Sequence, residues 1–212
     1  YCRRDIGIPI VCVTEVIKKG TQLFYKNADG KEIQIKRIYN RVIFDELELR
    51  PDLKMSFSFS DDLDVEWAGH PNWFFRISKF ILPMLKGKYF IETTLLSDLK
   101  EIPKDLENYV LKPLFSFSGS GVVFHVKQED IEAVKEKELY ILQKKVNYIP
   151  IIQSPDGKVK AEVRILFVWP KDAKDPIPVT NLVRMSRGEM IGVKFNKDKD
   201  WVGGTVGMFE KQ

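Results

Sequence analysis

The sequence predicts a mixed α/β (α+β) fold, and three patterns carry that expectation. Between residues 70 and 146, apolar residues at helical spacing alternate with short β-branched runs. From residue 158 onward the chain turns to longer β-branched segments separated by a proline-containing loop, and the first 69 residues carry a hairpin signal. Of the 212 residues, 44% are hydrophobic and 12% aromatic, enough to bury one sizeable core or two small ones.

Taken in order, PIVCVTEVI (9–17) has the composition of a strand. FYKNADGKEIQIKRIYNRVIF (24–44) places the turn signal Asn27-Ala28-Asp29-Gly30 between alternating segments, which predicts a hairpin. SFSFSDDLDVEWAG (56–69) is polar and punctuated and predicts a connection, so that residues 1–69 form a small α/β unit. In WFFRISKFILPML, Trp73, Phe74, Ile77, Phe80 and Ile81 recur at helical spacing behind Pro71, and predict a helix over 72–82. Strands follow at 88–94, 108–113, 121–126 and 140–146, with a short helical stretch near SDLKEI (97–102) and a helix at 128–137. KVKAEVRILFVW (158–169), VTNLVRMS (179–186) and EMIGVKFN (189–196) then predict antiparallel strands.

Composition removes several function classes. Thirty-four Lys and Arg stand against 30 Asp and Glu, and the charges are interspersed, unlike the basic block of a dedicated nucleic-acid binder. Cys2 and Cys12 with two His are too few for a disulfide framework or a zinc site, and offer no Cys/His or Ser/His/Asp constellation. No apolar run reaches the roughly 18 to 20 residues that span a bilayer. The amino end has neither an apolar h-region nor a small-residue cleavage site, so a cytoplasmic address is expected, with no membrane partner.

The segment LKPLFSFSGSGVVFHV (111–126) raises the question of chemistry. A Walker loop needs GxxxxGK[ST] and a dinucleotide fingerprint needs GxGxxG opening a helix; here Gly119-Ser120-Gly121 leads into Val-Val-Phe-His-Val, which is strand chemistry. What remains is a glycine-rich turn whose backbone can approach an anion, and a plain hairpin meets the same description. His70 before Pro71 suits capping or packing, and His125 among apolar neighbours suits a structural role.

After Lys112-Pro113 and SFSGSG come LQKKV (142–146), Glu162-Val163-Arg164, Arg184, Arg187, Lys194-Phe195-Asn196 and Gly203-Gly204. In this order, over residues 70–209, the motifs resemble the ATP-grasp superfamily, in particular RimK-like and glutathione synthetase-like ligases. Phe90-Ile91-Glu92-Thr93 keeps the threonine of the family's P-x-T strand without its proline. KRIYNRVIFDEL (36–47) resembles the strand ahead of the ATP-binding part in glutathionylspermidine-synthetase-like proteins.

The resemblance implies an ATP-grasp fold, with two α+β subdomains (70–142 and 143–212) gripping ATP and a partial pre-ATP-grasp unit (1–69) before them. It implies that Lys79, Lys112 and Lys194 neutralise phosphate oxygens. Ser116, Ser118, Gly119, Ser120 and Gly121 would form the phosphate-covering loop, and Gln143, Lys144 and Val146 would line the adenine slot of the hinge strand. Glu162 and Asn196 would hold Mg2+. Arg184 and Arg187 would stabilise charge moving between the γ-phosphate and an acyl group. The implied reaction is ATP-dependent ligation of a carboxylate to an amine or thiol through an acylphosphate. One departure stands out: the family's metal-binding Glu-x-Asn pair does not occur after residue 196. That keeps open a non-catalytic nucleotide-binding module. A protein- or nucleic-acid-interaction domain built on mixed charge is the further rival, and it predicts no ATP affinity.

Overall fold

The Asn27 turn folds as its residues dictate. In a computed structural model that describes residues 2–116, 119–192 and 195–210, and of Asp45 the backbone alone, β1 (Ile17–Lys19), β2 (Gln22–Lys26) and β3 (Glu32–Ile35) form an antiparallel meander. Asn27 Oδ1 accepts the backbone N–H of Asp29 at 3.1 Å and of Lys31 at 2.8 Å, and Gly30 supplies the positive φ of 78° that closes the turn. The expected strand over 9–17 is displaced: Val13–Glu15 is a 3-10 turn, and only Ile17 of that run enters β1. Cys12 and Thr14 interact locally through their side chains at 3.1 Å, which competes with an extended ladder.

Among the described residues the chain is mixed α+β, with twelve strands in four sheets and few, short helices: α1 (Cys2–Asp5), α2 (Phe44–Glu48), α3 (Trp73–Arg76) and α4 (Gln128–Glu132). None of these helices is long and apolar enough to cross a membrane. The chain divides into two units, Tyr1–Lys144 and Lys145–Gln212.

In the first unit, the polar-looking segment 56–69 does more than connect. Its Phe57 is buried against Val16 and Leu23, with Phe59, Leu63 and Val65 packed around them, and its end forms β5 (Glu66–Ala68), parallel to β4 (Arg37–Tyr39). The expected helix over 72–82 breaks. α3 stops at Arg76, and a 3-10 turn spans Lys79–Met84. Ser78 Oγ donates to the Phe75 carbonyl at 2.8 Å and accepts the Phe80 N–H at 3.2 Å, taking two backbone groups from the helical ladder. Pro83 has no N–H to give, and its ring crowds the carbonyl of Lys79.

The second sheet of this unit has the order β6-β8-β7, all antiparallel, with β6 (Thr93–Leu95), β7 (Tyr109–Pro113) and β8 (Tyr140–Lys144). β6 is shorter than the expected 88–94 strand because a turn at Gly87, closed by Phe90 N donating to Gly87 O at 3.1 Å, uses its first half. One sheet face buries Leu111 and Leu142 with Leu96, Val126 and Ile131 of α4. α4 ends at Glu132, short of the expected residue 137. The strand expected over 121–126 reduces to a single antiparallel bridge, Leu111 to Val123.

The second unit is a four-stranded antiparallel sheet of order β12-β11-β10-β9, built from β9 (Ile152–Ser154), β10 (Gly157–Val168), β11 (Ile177–Ser186) and β12 (Gly203–Thr205). Its centre lies at the base of the β10–β11 ribbon, where Val159 and Val183 are buried; the far end exposes Ile165, Phe167, Trp169 and Val179. EMIGVKFN forms no strand among its described residues. The segment folds back on itself through Asn196, and the edge of β11 is taken by Gly203–Thr205 instead.

Candidate functional site

Strand alternation fixes where Lys112 points. Leu111 turns into the core, so Lys112 must face the other side of the sheet, as do Val110 and their cross-strand neighbours Ile141 and Gln143. Gln143 also sits opposite Thr93 on β6. Three strands therefore bring Lys112, Gln143 and Thr93 onto one face. Lys112 Nζ donates to Gln143 Oε1 at 2.6 Å, Gln143 Nε2 donates to Thr93 Oγ1 at 2.8 Å, and Thr93 Oγ1 donates to the Ile91 carbonyl at 2.9 Å.

The 3-10 turn Lys79–Met84 packs beside β6 and β8 and delivers a second lysine to the same region. Lys79 Nζ donates to Ser116 O at 3.0 Å and to Ser116 Oγ at 3.1 Å, and the rings of Phe75 and Phe115 meet edge to face at 5.3 Å between centroids. Burial, and after it the positive charge of Lys79, hold the Lys112 ammonium below the ordinary lysine range. Among the described residues no carboxylate offsets it. A desolvated cation beside another cation, held by a neutral amide, is electrostatically unfavourable in itself and favourable to an anion.

Beyond Pro113 the chain pairs with β7 again at the Leu111–Val123 bridge, closed by Leu111 N donating to Val123 O at 3.0 Å and Val123 N to Leu111 O at 2.9 Å. Gly119 and Gly121 adopt φ of 79° and 68°, with exposed Ser120 between them. A Cβ on Gly121 would lie 3.0 Å from Pro113 Cγ, so glycine is needed there twice over. Ser118 lies outside the described residues. Lys144, one position past Gln143, faces away and pairs with Glu92 at 2.7 Å on an exposed surface. Val146 is exposed and belongs to the second unit.

In the second unit, Glu162 and Arg184 are direct cross-strand partners, and Arg164 shares their face. Glu162 accepts from Arg164 Nε at 2.5 Å and from the Tyr148 hydroxyl at 3.3 Å; burial, then the Glu162 charge, push the Tyr148 phenol up. Arg184 is half-buried opposite Gly204 of β12. Arg187 is committed to the loops around it, donating to the carbonyl of Asp156 and, at 3.4 Å, to that of Asp200, with the Asp156 carboxylate at 3.8 Å. Lys194 lies outside the described residues.

Asn196 is buried and spent. Its Oδ1 accepts the backbone N–H of Arg187 and of Gly188, each at 2.9 Å, which fills its two lone pairs. Its Nδ2 donates to Gly192 O at 2.7 Å and to Ser186 Oγ at 3.0 Å. Magnesium requires open oxygen ligands, most often from one or two carboxylates together with phosphate. Asn196 offers none, Glu162 is ion-paired, and no group of three or more His, Cys, Asp or Glu with metal-binding proximity occurs among the described residues. The pair Glu162 and Asn196 does not fit that ion.

The residues brought together are thus Lys79, Lys112, Ser116 and Gln143, to which the structure adds Thr93. Its sequence signal was the threonine kept in Phe90-Ile91-Glu92-Thr93; that Thr93 is the one buried, with its hydroxyl partnered, is set by the sheet. Comparisons of the chain with protein-family models, with curated proteins and with solved structures give no match.

Proposed function

We propose that this chain binds ATP in the manner of the ATP-grasp proteins it resembles, with Lys79 and Lys112 taking phosphate oxygens and the 116–121 segment covering them. The α+β architecture is, on this reading, an ATP-grasp fold, and the ATP-rich cytoplasm is its place of work. The observation that carries the reading is Lys112: an ammonium group partly withdrawn from water, next to a second lysine and offset by no carboxylate among the described residues. A phosphate chain supplies the missing charge. A hydrogen bond to a charged group contributes roughly 1.5 to 3 kcal/mol net. Two lysines therefore bring affinity to about the millimolar range and above, and adenine packing extends it toward micromolar.

Ligation of a carboxylate to an amine or thiol through an acylphosphate is the fuller form of the proposal, in which Arg184 would stabilise the moving charge, as the resemblance implies. A specific observation favours the second reading, a nucleotide-binding module without catalysis: Arg187 and Asn196 have their polar groups engaged by the surrounding loops.

Calorimetry with ATP, with and without magnesium, tests the binding claim on wild type and Lys112→Ala. Wild type is expected to bind and K112A to bind at least tenfold more weakly. Equal binding by both, or by neither, removes the claim. ADP and phosphate formed in the presence of a carboxylate and an amine support the ligase; bound ATP that is not turned over supports the module.

A further inference from the structure

We infer that Gln143 and Thr93 are positioning residues for Lys112, forming a neutral hydrogen-bond relay that aims the ammonium group while leaving its charge uncompensated for an incoming polyanion. The inference rests on the anion-binding reading above and assigns Gln143 a different task from the lining of an adenine slot.

The direction of every bond in the relay is forced. A lysine has donors alone, so the oxygen of the Gln143 amide must face Nζ, at 2.6 Å. The amide nitrogen must then face Thr93 Oγ1, at 2.8 Å, and the Thr93 proton is left for the Ile91 carbonyl, at 2.9 Å. Flipping the Gln143 amide sets its nitrogen against Nζ, two donors face to face, and turning the Thr93 hydroxyl from Ile91 leaves two oxygens facing one another. Thr93 and Gln143 are 4% and 6% exposed, so water cannot substitute for a lost partner. The relay ends on a backbone carbonyl just ahead of β6, which anchors it to the fold.

The same sheet holds the control. One residue along β8 and one ahead of β6, on an exposed surface, Lys144 meets the carboxylate of Glu92 at 2.7 Å, and this lysine is held above its ordinary range by the bond and by the carboxylate charge. Glutamate is nearly isosteric with glutamine. At position 143 it would relieve the desolvated lysine and stabilise the sheet, but it would also occupy the charge that a phosphate needs and repel that phosphate as it arrives. A carboxamide keeps the geometry and withholds the countercharge, the arrangement of a preorganised electrostatic site.

Titration calorimetry of the full chain with ATP and with inorganic tripolyphosphate, paired with thermal unfolding, tests this. Gln143→Glu is expected to weaken both ligands at least tenfold while its melting temperature stays equal to wild type or rises. A residue that only supported the sheet would lose affinity and melting temperature together, and that result overturns the inference. So does Q143E binding within twofold of a wild type whose K112A variant does not bind, an outcome that leaves the lysine grip standing. If Q143E does not fold, the isosteric Thr93→Val and the conservative Thr93→Ser decide. T93S is expected to bind as wild type and T93V threefold or more weakly, and equal binding by both overturns the relay. A wild type that binds neither ligand removes the anion-binding reading itself.

Discussion

Two buried carboxamides, Gln143 in the first unit and Asn196 in the second, meet opposite surroundings. Asn196 has four partners, all neutral and all within one loop cluster, and they use its donors and acceptors completely. Gln143 accepts from a cation whose charge no carboxylate among the described residues offsets. The first arrangement is closed and serves the fold; the second is open and, on the proposed reading, serves a ligand. Burial alone does not separate the two. The remaining capacity does: a site is recognised by charge left unspent after the internal hydrogen bonds are made.

The comparison can be broken most forcefully at Asn196. Asn196→Ala strands the buried N–H groups of Arg187 and Gly188, and an expected loss of about 3 kcal/mol follows from the cost of unsatisfied buried donors. Urea unfolding measures it. Nucleotide affinity, on the closed-loop account, stays at the wild-type value; a fall in affinity without a fall in stability would make Asn196 a ligand-binding residue after all.

Lys112 should behave in reverse. Lys112→Met removes a desolvated charge and is expected to stabilise the free protein by about 1 kcal/mol, as apolar replacements of buried charge often do. The pH dependence has a definite sign. The folded-state pKa of Lys112 lies below the ordinary value of 10.5, so between those two values the unfolded chain binds more protons than the folded one, and stability rises with pH. Below that window the full penalty is present. The advantage of K112M over wild type should therefore shrink as the pH climbs toward 10.5, and an advantage that does not change with pH would show that the ammonium is well solvated.

The smallest effect belongs to the exposed pair on the same sheet. Lys144→Gln is expected to leave both unfolding and ATP affinity unchanged within measurement, because an ion pair in water contributes little. A large loss of affinity would return Lys144 to the binding site.

Much of this was legible along the chain. The Asn27 hairpin and the strands β7, β8, β10 and β11 follow from turn chemistry and β-branched runs, both of them local signals. The helix over 72–82 was not, because its apolar spacing is correct and the interruption comes from one hydroxyl, Ser78, and one ring, Pro83. The segment 121–126 has strand composition, but among the described residues its strand pairing is the one bridge at Leu111, and pairing is a non-local property. In the candidate site, the resemblance carried by the order of motifs named Lys79, Lys112 and Ser116, and the fold brings them together. It did not tell that the Gln143 side chain turns to Lys112, since that depends on which sheet face the Leu111–Leu142 core claims. Nor did it tell that Arg187 and Asn196 bind their own loops, through contacts set by chain geometry between residues 156 and 200.

The parallel pair of β4 and β5 bears on the order in which the first unit assembles. Arg37 and Glu66 are 29 residues apart along the chain, whereas Lys26 and Glu32, which close the Asn27 hairpin, are six apart. Loop-closure entropy grows with the logarithm of length, so joining the parallel strands costs about 1.4 kcal/mol more than closing the hairpin. Three residues of ladder give little return for that cost. What offsets it is apolar packing: Ile38 of β4 and Val65, just ahead of β5, lie against the buried cluster of Val16, Leu23 and Phe57. The parallel ladder therefore depends on that cluster, whereas the hairpin closes on local contacts.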